Sequence, residues 1–286
     1  MSHPPRSLTV FTHANPDQTR DALRRVIELA REAGVEVRLP QREAEKHGLE
    51  RWEGVVLGAD PSGDTDLAVV LGGDGTILAT LRLYAGRRVT VFAVNFGTIG
   101  FLATVEPSEL DEGMRMALAG ELDVLELPGL IAGTADGDEL AMNDISFHRR
   151  HSGRVAELAY SVEGEQLGEV RCDGLVVATP AGSTGYNLAN GGPVLAWGVE
   201  GYVVSFIAPH TLTARALVVA PDDVLTVRNR SRVEDVEMTT DGHSVCVLPR
   251  EDAISIRFDR SRARLAQVPG ASFYHRLREK FGRLAY

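Results

Sequence analysis

Residues 71–76, Leu-Gly-Gly-Asp-Gly-Thr, constrain this chain more than any other stretch. They follow the unbroken apolar run 67–71 and lead into a helix-like segment at 77–84. A parallel strand covered on both faces reads this way, because neither face needs polar residues. Gly72, Gly73 and Gly75 let a backbone approach a ligand closely, and Thr76 lies in the first turn of the expected helix. The first N–H groups of a helix have no partner in the helix and carry the positive end of its dipole, so phosphate oxygens are welcome there. Asp74 is the unexpected member. A carboxylate beside a phosphate site repels the phosphate unless it holds a metal ion or takes a proton from an attacking hydroxyl, and both roles belong to phosphoryl transfer. The competing reading is that Asp74 only caps the helix, since Asp is a favoured N-cap and Gly-Gly-Asp-Gly is ordinary turn chemistry.

The surrounding pattern supplies a fold for this turn. A strand is expected at 8–12, and Asn15-Pro16-Asp17 starts a helix over 17–33. Leu23, Val26, Ile27, Ala30 and Ala33 form one face of that helix, and Gly34 ends it. Strands follow at 35–39 and 89–94, whereas 41–66 is polar, carries a turn at 61–64 and is placed on the surface. Alternating strands and helices imply a parallel sheet with right-handed crossovers, whose ligands sit beyond the carboxyl ends of the strands. Asp74 falls at such an end. So does the Gly-rich stretch 95–102, beginning Asn95-Phe96-Gly97, which can form the second wall of a cleft. A helix over 106–119 then has Pro107 in its first turn and Gly120 after its end.

From residue 121 short alternating runs replace the helical pattern, at 122–127, 139–147, 154–162, 169–179, 202–207, 224–229, 236–240, 245–248 and 254–258. Turns at Asp136-Gly137, Ser152-Gly153 and Asp241-Gly242 punctuate them, which predicts an all-β second domain. Residues 272–284 are amphipathic, with Phe273, Leu277 and Phe281 on one side, and form a terminal helix. The expected organisation is therefore an α/β domain with a parallel sheet at 1–120, a β-rich domain at 121–265, and a 266–286 segment packing back on the first domain.

The chain has 286 residues, 44% hydrophobic and 24% charged, which suits two ordinary globular domains. Residues 1–6 are short and polar, and no apolar stretch approaches the length that spans a bilayer, so the expectation is a cytoplasmic protein. A net charge of −10 speaks against nucleic-acid or membrane partners. Cys172 and Cys246 are too few for a disulfide framework or a zinc site and read as buried or half-buried small residues. Lys46 and Lys280 are the two lysines, and neither lies in a Gly-rich loop. Bound phosphates would therefore be held by backbone N–H groups, arginine and Mg²⁺ rather than by a phosphate-loop lysine.

The second domain carries the most distinctive segment. Arg171-Cys172-Asp173-Gly174 precedes the loop 179–193, which contains Thr184-Gly185-Tyr186-Asn187-Leu188-Ala189 and closes on Gly191-Gly192-Pro193. Hydroxyls, small residues and one aromatic suit a sugar and a heterocycle better than a core strand. A serine-hydrolase elbow is excluded, because Ala181 breaks the Gly-x-Ser-x-Gly spacing.

On these residues the chain resembles the NAD kinase family. The matches are Gly72-Gly73-Asp74-Gly75-Thr76, the 95–102 stretch, Asn143-Asp144, Arg171-Cys172-Asp173-Gly174, the 179–193 loop, Pro209-His210-Thr211-Leu212 and Asp241-Gly242, in family order. The first motif is shared with diacylglycerol and sphingosine kinases and with phosphofructokinases, whereas the 179–193 block is specific to this family. The resemblance implies phosphorylation of the 2′-hydroxyl of the adenosine ribose of NAD to NADP, with NAD between two domains and a homodimer or homotetramer as the assembly. ATP is the implied donor, polyphosphate being possible, and Mg²⁺ or another divalent cation would ride on the donor phosphates without a dedicated protein ligand. Asp74 matches the family's general base. Gly75 and Asn143 match positions on the adenosine side, Thr184, Gly185, Tyr186, Asn187, Leu188 and Ala189 the loop around adenine and ribose, and Asp173 a carboxylate near the nicotinamide. Arg171, Ala208 and His243 match positions that complete the site, in part from a neighbouring subunit. Gly72, Gly73, Thr76, Asn95, Phe96, Asp144 and Arg154 join the expected nucleotide-binding set.

Two departures from the family pattern stand out. Asp144 replaces the usual Glu, shortening the arm by one methylene, and His243 stands where Gln is frequent. A bridging water could make up the shorter reach. His148 and His151 flank a turn with no third ligand nearby in sequence and read as exposed or satisfied histidines. Asp136, Asp138 and Glu139 read as a solvated hairpin tip, and Trp52 and Trp197 as packing residues. Two other functions compete with the leading one. A lipid or sugar kinase is opposed by the 179–193 loop and Asn143-Asp144, and a nucleotide-binding regulator without chemistry is opposed by Asp74.

Overall fold

The computed structural model describes residues 3–97, 100–151 and 154–282. Two compact units emerge, Met1–Glu126 together with Ala263–Tyr286, and Leu127–Arg262. The first contains β1 (Ser7–Thr12), α1 (Arg20–Glu32), β2 (Glu36–Pro40), α2 (Gln41–Lys46), β3 (Val55–Ala59), β4 (Leu67–Gly72), α3 (Asp74–Leu83), β5 (Thr90–Asn95) and α4 (Leu110–Ala119). Its strands pair in the order β3-β2-β1-β4-β5, every pair parallel. All six residues of β4 and of β5 are buried, which is why their sequences are apolar without alternation. Chain order reverses between β1 and β4, and at such a switch point the carboxyl ends of the two strands open a crevice. The Gly-rich turn from β4 into α3 lies there.

Of the α1 face predicted from periodicity, Leu23, Val26, Ile27 and Ala30 are buried, joined by Leu29, whereas Ala33 is the exposed C-cap just past the helix. A 3₁₀ turn over Pro16–Gln18 precedes the helix, with Asn15 Oδ1 accepting from the Asp17 N–H at 3.1 Å. Gly120 ends α4 in the left-handed conformation that its position requires. The surface reading of 41–66 is corrected, since this stretch contains α2 and the edge strand β3. No residue of β3 is fully buried, so it lacks the continuous apolar run that marks β4 and β5.

The second unit is an antiparallel β sandwich. Its chain order continues with β6 (Asp123–Thr134), β7 (Gly137–Ala141), β8 (Asp144–Arg149), β9 (Ala156–Val162), β10 (Glu165–Cys172) and β11 (Gly174–Ala178). Then come α5 (Tyr186–Ala189), β12 (Tyr202–Ile207), β13 (Leu217–Val219), β14 (Leu225–Asn229), β15 (Val236–Thr240), β16 (His243–Leu248) and β17 (Ala253–Gln267), after which α6 (Phe273–Phe281) belongs to the first unit. One sheet runs β13-β12-β11-β8-β15-β16, and β10-β9-β14 pairs with the first half of β17 in the other. Ile145, Phe147, Leu175, Val177 and Val204 from one sheet meet Leu158, Val170, Leu225, Val227 and Ile256 from the other in a common core. The last residues of β17 belong to the first unit, where Arg264 and Leu265 pair with Thr90 and Val91 of β5.

Several expected runs resolve into two strands, because 139–147 and 169–179 each break at a tight turn, at Met142-Asn143 and at Asp173. The three-residue β13 is too short to announce itself. Thr98, Ile99, the Ser152-Gly153 turn and Leu284 lie outside the described residues. Cys172 is buried, Cys246 half-buried, and Trp52 packs against the core of the first unit. Among the described residues no helix is long and apolar enough to cross a membrane.

Close packing gives a stability prediction at Gly113, inside α4. An added methyl would lie 3.0 Å from both Val105 methyls and 3.2 Å from Phe92 Cζ, and both neighbours are buried. Ala gains about 1 kcal/mol of helix propensity over Gly, whereas overpacking costs about 1–3 kcal/mol. Gly113→Ala is therefore expected to destabilise by about 1 kcal/mol in urea unfolding. A stabilised variant would mean that helix propensity outweighs the contact.

Candidate functional site

In the first unit the site is built where β4 becomes α3. Gly73 is the N-cap of α3, in extended conformation, and Asp74 is the first helical residue. The Asp74 carboxylate does not cap the helix. Oδ2 accepts from the Phe101 N–H at 2.9 Å, and Oδ1 from Phe101 and Leu102 N–H groups at 3.2 and 3.3 Å. Burial raises its carboxyl above the ordinary value, and those two N–H groups, with the charges of Arg276 and Lys280, pull the other way.

The glycines do separate jobs. A Cβ on Gly72 would lie 2.8 Å from Thr76 Cβ, and one on Gly97 would lie 2.8 Å from Gly73 Cα, so the two Gly-rich turns pack backbone against backbone. A Cβ on Gly75 would meet nothing within 4 Å, leaving that face open. Asn95 is buried, its Oδ1 accepting from the Gly97 N–H at 3.1 Å and its Nδ2 donating to Glu106 at 3.2 and 3.3 Å. The Phe96 N–H donates to the Gly72 carbonyl at 3.0 Å. Asn95 and Phe96 thus shape the turn around Asp74. Thr76 closes the first helical turn through its N–H to the Gly73 carbonyl at 3.0 Å.

In the second unit β8 alternates polar Asp144, Ser146 and His148 with the core residues Ile145 and Phe147. Just before it, the Asp241 carboxylate accepts from the N–H groups of Met142, Asn143 and Asp144 at 2.9, 2.7 and 3.1 Å. Asp241 thus holds the turn that aims Asn143 and Asp144. The Asn143 Oδ1 is buried with no protein hydrogen-bond partner. Asp144 is 9% exposed. Burial first, and the neighbouring Asp241 charge second, push its carboxyl up to about 7.

The 179–193 loop is seated on this turn. Thr179 Oγ1 donates to the Met142 carbonyl at 2.8 Å and accepts from the Gly182 N–H at 3.1 Å. A Cβ at Gly182 would lie 2.1 Å from the Asn143 carbonyl oxygen, so only glycine permits that contact. Asn187 is fully buried, its Nδ2 donating to the carbonyls of Ser183 and Pro193 at 2.9 Å each. It closes the loop from inside, while Gly185, Tyr186 and Ala189 are exposed and Thr184 and Leu188 half-buried. The Tyr186 ring stacks on His148, centroids 5.7 Å apart. Burial raises the Tyr186 hydroxyl, and the charges of Asp144 and Asp173 add to it, so these residues share one face.

Asp173 is gripped by Arg149, with Nε at 2.7 Å and Nη2 at 3.0 Å from its two oxygens. Arg171 pairs with Glu157 at 3.2 Å, and Arg154 with Glu234 at 3.2 Å. Ala208 is exposed and left-handed, φ +42°, and the His210 N–H two residues on donates to the Arg171 carbonyl at 2.7 Å. His243 is exposed, with Nδ1 3.1 Å from the Asp241 carbonyl. His151 is satisfied by Glu234 at 2.6 Å, and His148 by Ser146 Oγ at 2.8 Å. Arg149, the Asp241 clamp and the His148 stack are additions to the sequence-derived set. The alternation of β8 could have singled out His148, whereas nothing in sequence joins Arg149 to a partner 24 residues on.

The first unit can hold an acceptor proton at Asp74 beside the N-terminus of α3, and the second offers an aromatic face, carboxyls and amides that fit a ribose and a base. Among the described residues no three His, Cys, Asp or Glu side chains gather into a metal-ligating group.

Two family models and several known proteins match this chain. Residues 8–122 match the family model of the ATP-NAD kinase N-terminal domain, and residues 142–268 that of the ATP-NAD kinase C-terminal domain. The chain is 34% identical to an NAD kinase of Gemmatimonas aurantiaca over 82% of its length and 83% of the relative's. It is 32% identical to an NAD kinase of Syntrophotalea carbinolica, covering 97% and 98% of the two chains. Among solved structures, yeast NADH kinase complexed with NADH aligns with a TM-score of 0.88 at 25% identity, covering 100% of this chain and 91% of that one. An NAD kinase from Archaeoglobus fulgidus in complex with ATP aligns with a TM-score of 0.73 at 25% identity, covering 96% and 97%. An α/β unit and an antiparallel β unit, each matched to its own model and aligned over nearly full-length relatives, place this chain in the NAD kinase family.

Proposed function

We propose that this chain transfers the terminal phosphoryl group of ATP to the 2′-hydroxyl of the adenosine ribose of NAD, with Asp74 as the general base. The observation that carries the assignment is that the Asp74 carboxylate is held by the Phe101 and Leu102 N–H groups rather than spent on capping α3. Burial keeps its proton affinity above that of a solvated carboxylate. A ribose hydroxyl is a poor nucleophile until its proton is taken, and a carboxylate with raised affinity suits that step. The start of α3, at the positive end of the helix dipole, suits donor phosphates. Tyr186 and the exposed part of the 184–189 loop are assigned to adenine and ribose, with Asn143 and Asp144 as polar contacts there and Asp173 as the carboxylate near the nicotinamide. Arg171, Ala208 and His243 remain assigned to completing the site in a homodimer or homotetramer, and Arg154 to the nucleotide-binding set. A divalent cation, Mg²⁺ in our assignment, would neutralise charge on the donor phosphates, a mode that needs no all-protein cage. A cytoplasmic location suits the two free thiols.

Asparagine keeps the shape of Asp74 but cannot take a proton. Asp74→Asn is expected to fold and bind NAD while losing about 10² to 10⁴ in turnover, with no recovery at higher pH. Near-normal NADP production by a folded variant would rule out the base assignment.

Asp144 is read as a contact to a ribose or phosphate oxygen whose arm is completed by water. Asp144→Glu is expected to retain turnover, and Asp144→Ala to lose transition-state stabilisation of about 1.5–3 kcal/mol in kcat/KM. An Ala variant with unchanged kcat/KM would make the residue a bystander.

The raised carboxyl also predicts a pH dependence of stability. Its folded value near 7 lies above the ordinary 3.8, so the folded protein binds the proton more tightly and loses stability as pH climbs between these values. Asp144→Asn removes the group. It is expected to gain on the wild type across that window, by at most about 1.4 kcal/mol per pH unit, and to gain nothing more above it. Urea unfolding of both proteins from acid to mildly alkaline pH reads the difference, and a constant offset across the window would show that Asp144 is not perturbed.

A further inference from the structure

The terminal helix α6 reaches the Asp74 environment through Phe101. The Phe101 N–H donates to the Asp74 carboxylate at 2.9 Å, and its carbonyl accepts from Arg276 Nη1, also at 2.9 Å. Its ring packs edge-on against Phe273, centroids 5.6 Å apart, and lies tilted against Phe281 at 6.0 Å. A second tie runs parallel to the first. Lys280 Nζ lies 3.3 Å from Glu106 Oε1, and Glu106 accepts from Asn95 Nδ2, whose amide oxygen holds the Gly97 N–H. Phe273, Arg276, Leu277 and Lys280 stand at i, i+3, i+4 and i+7, so a single helical face makes these contacts.

We infer that Arg276 is a positioning residue for phosphoryl transfer, fixing through the Phe101 backbone the orientation of the Asp74 carboxylate; this rests on the reading of Asp74 as the base. Arg276 is 9% exposed, so its guanidinium has left water for this place. Burial lowers its proton affinity, while the carboxylates of Glu279, Asp74 and Glu106 raise it. A buried cation with no compensating anion or carbonyl is expensive, and here the Phe101 carbonyl and the neighbouring carboxylates supply the compensation. The charges acting on Asp74 from α6 are those of Arg276 and Lys280, and both favour its ionised form. The helix therefore does two things to one carboxylate. It holds the donor that points the oxygen, and it keeps that oxygen available to accept a proton at lower pH. Reacting groups displaced by about 1 Å lose on the order of 10²-fold in rate, so a loosened Phe101 would be felt in turnover rather than in NAD binding.

The test is steady-state NADP production by the full-length chain over a range of pH, comparing wild type, Arg276→Met, Arg276→Lys, Lys280→Gln and Asp74→Asn. Arg276→Met is expected to lower kcat about 10- to 100-fold with KM for NAD within about twofold, and to move the acid limb of the kcat profile to higher pH. Arg276→Lys restores a cation and one donor and is expected to recover much of kcat and return the limb toward the wild-type position. Lys280→Gln, at a more solvated site, is expected to move the limb in the same direction by less. Circular dichroism and urea unfolding establish which variants fold. A folded Arg276→Met protein with unchanged kcat and acid limb, or one altered only in KM, overturns the inference. Should Arg276→Met fail to fold, an unmoved acid limb in Lys280→Gln overturns it instead. Failure of the underlying reading looks different, because Asp74→Asn would then turn over nearly normally whatever the Arg276 variants do.

Discussion

The hydrogen bonds from Phe101 and Leu102 to Asp74 join chain positions 27 and 28 residues apart. On them depends the arrangement of both Gly-rich turns in the first unit. A carboxylate at the start of a helix is already favoured by the dipole. Two backbone N–H groups then fix its direction, with a strength of about 1.5–3 kcal/mol for a charged partner. The backbone at Gly97 lies against Gly73, and glycine permits this because a Cβ at 97 would sit 2.8 Å from Gly73 Cα. Asn95 then braces the same turn from inside. The glycines, the asparagine and the carboxylate are one device, in which each part makes room for or holds another.

A carboxylate organises the second unit by the same physical means. Asp241 stands at a left-handed position, φ +47°, and collects three successive N–H groups from 142–144. That clamp presents Asn143 and Asp144 and gives the 179–182 turn a surface to sit on. Burial raises the proton affinity of Asp144 there, and the Asp241 charge adds to it. Tyr186 follows from this seating, since the loop that carries it is closed by Asn187 and its ring rests on His148. The exposed side chains of this face are thus supported by buried ones behind them.

Much of this was legible in the chain itself. The apolar run of β4 and the glycines after it read as a buried strand leading into a helix start, because a strand covered on both faces needs no polar residue and glycines suit the turn. The amphipathic face of α1 and the left-handed Gly120 follow from periodicity and capping. The edge strand β3 escaped, since an edge position imposes no continuous burial and so leaves a weak pattern. Asn187 read as part of a ligand loop, yet it is buried as that loop's internal clasp.

What the sequence determined by itself is local: the turn chemistry around Asp74, the strands and helices whose burial leaves a period, and the family to which the motifs belong. Only the tertiary structure decided the partners of the charged groups. Arg149 with Asp173, Asp241 with the 142–144 backbone, and Arg276 with the Phe101 carbonyl span 24, 97 to 99, and 175 residues. No periodicity encodes such pairs. A hydrogen bond between distant segments depends on where packing of the whole unit brings their backbones, and that is a property of the folded core rather than of either segment alone.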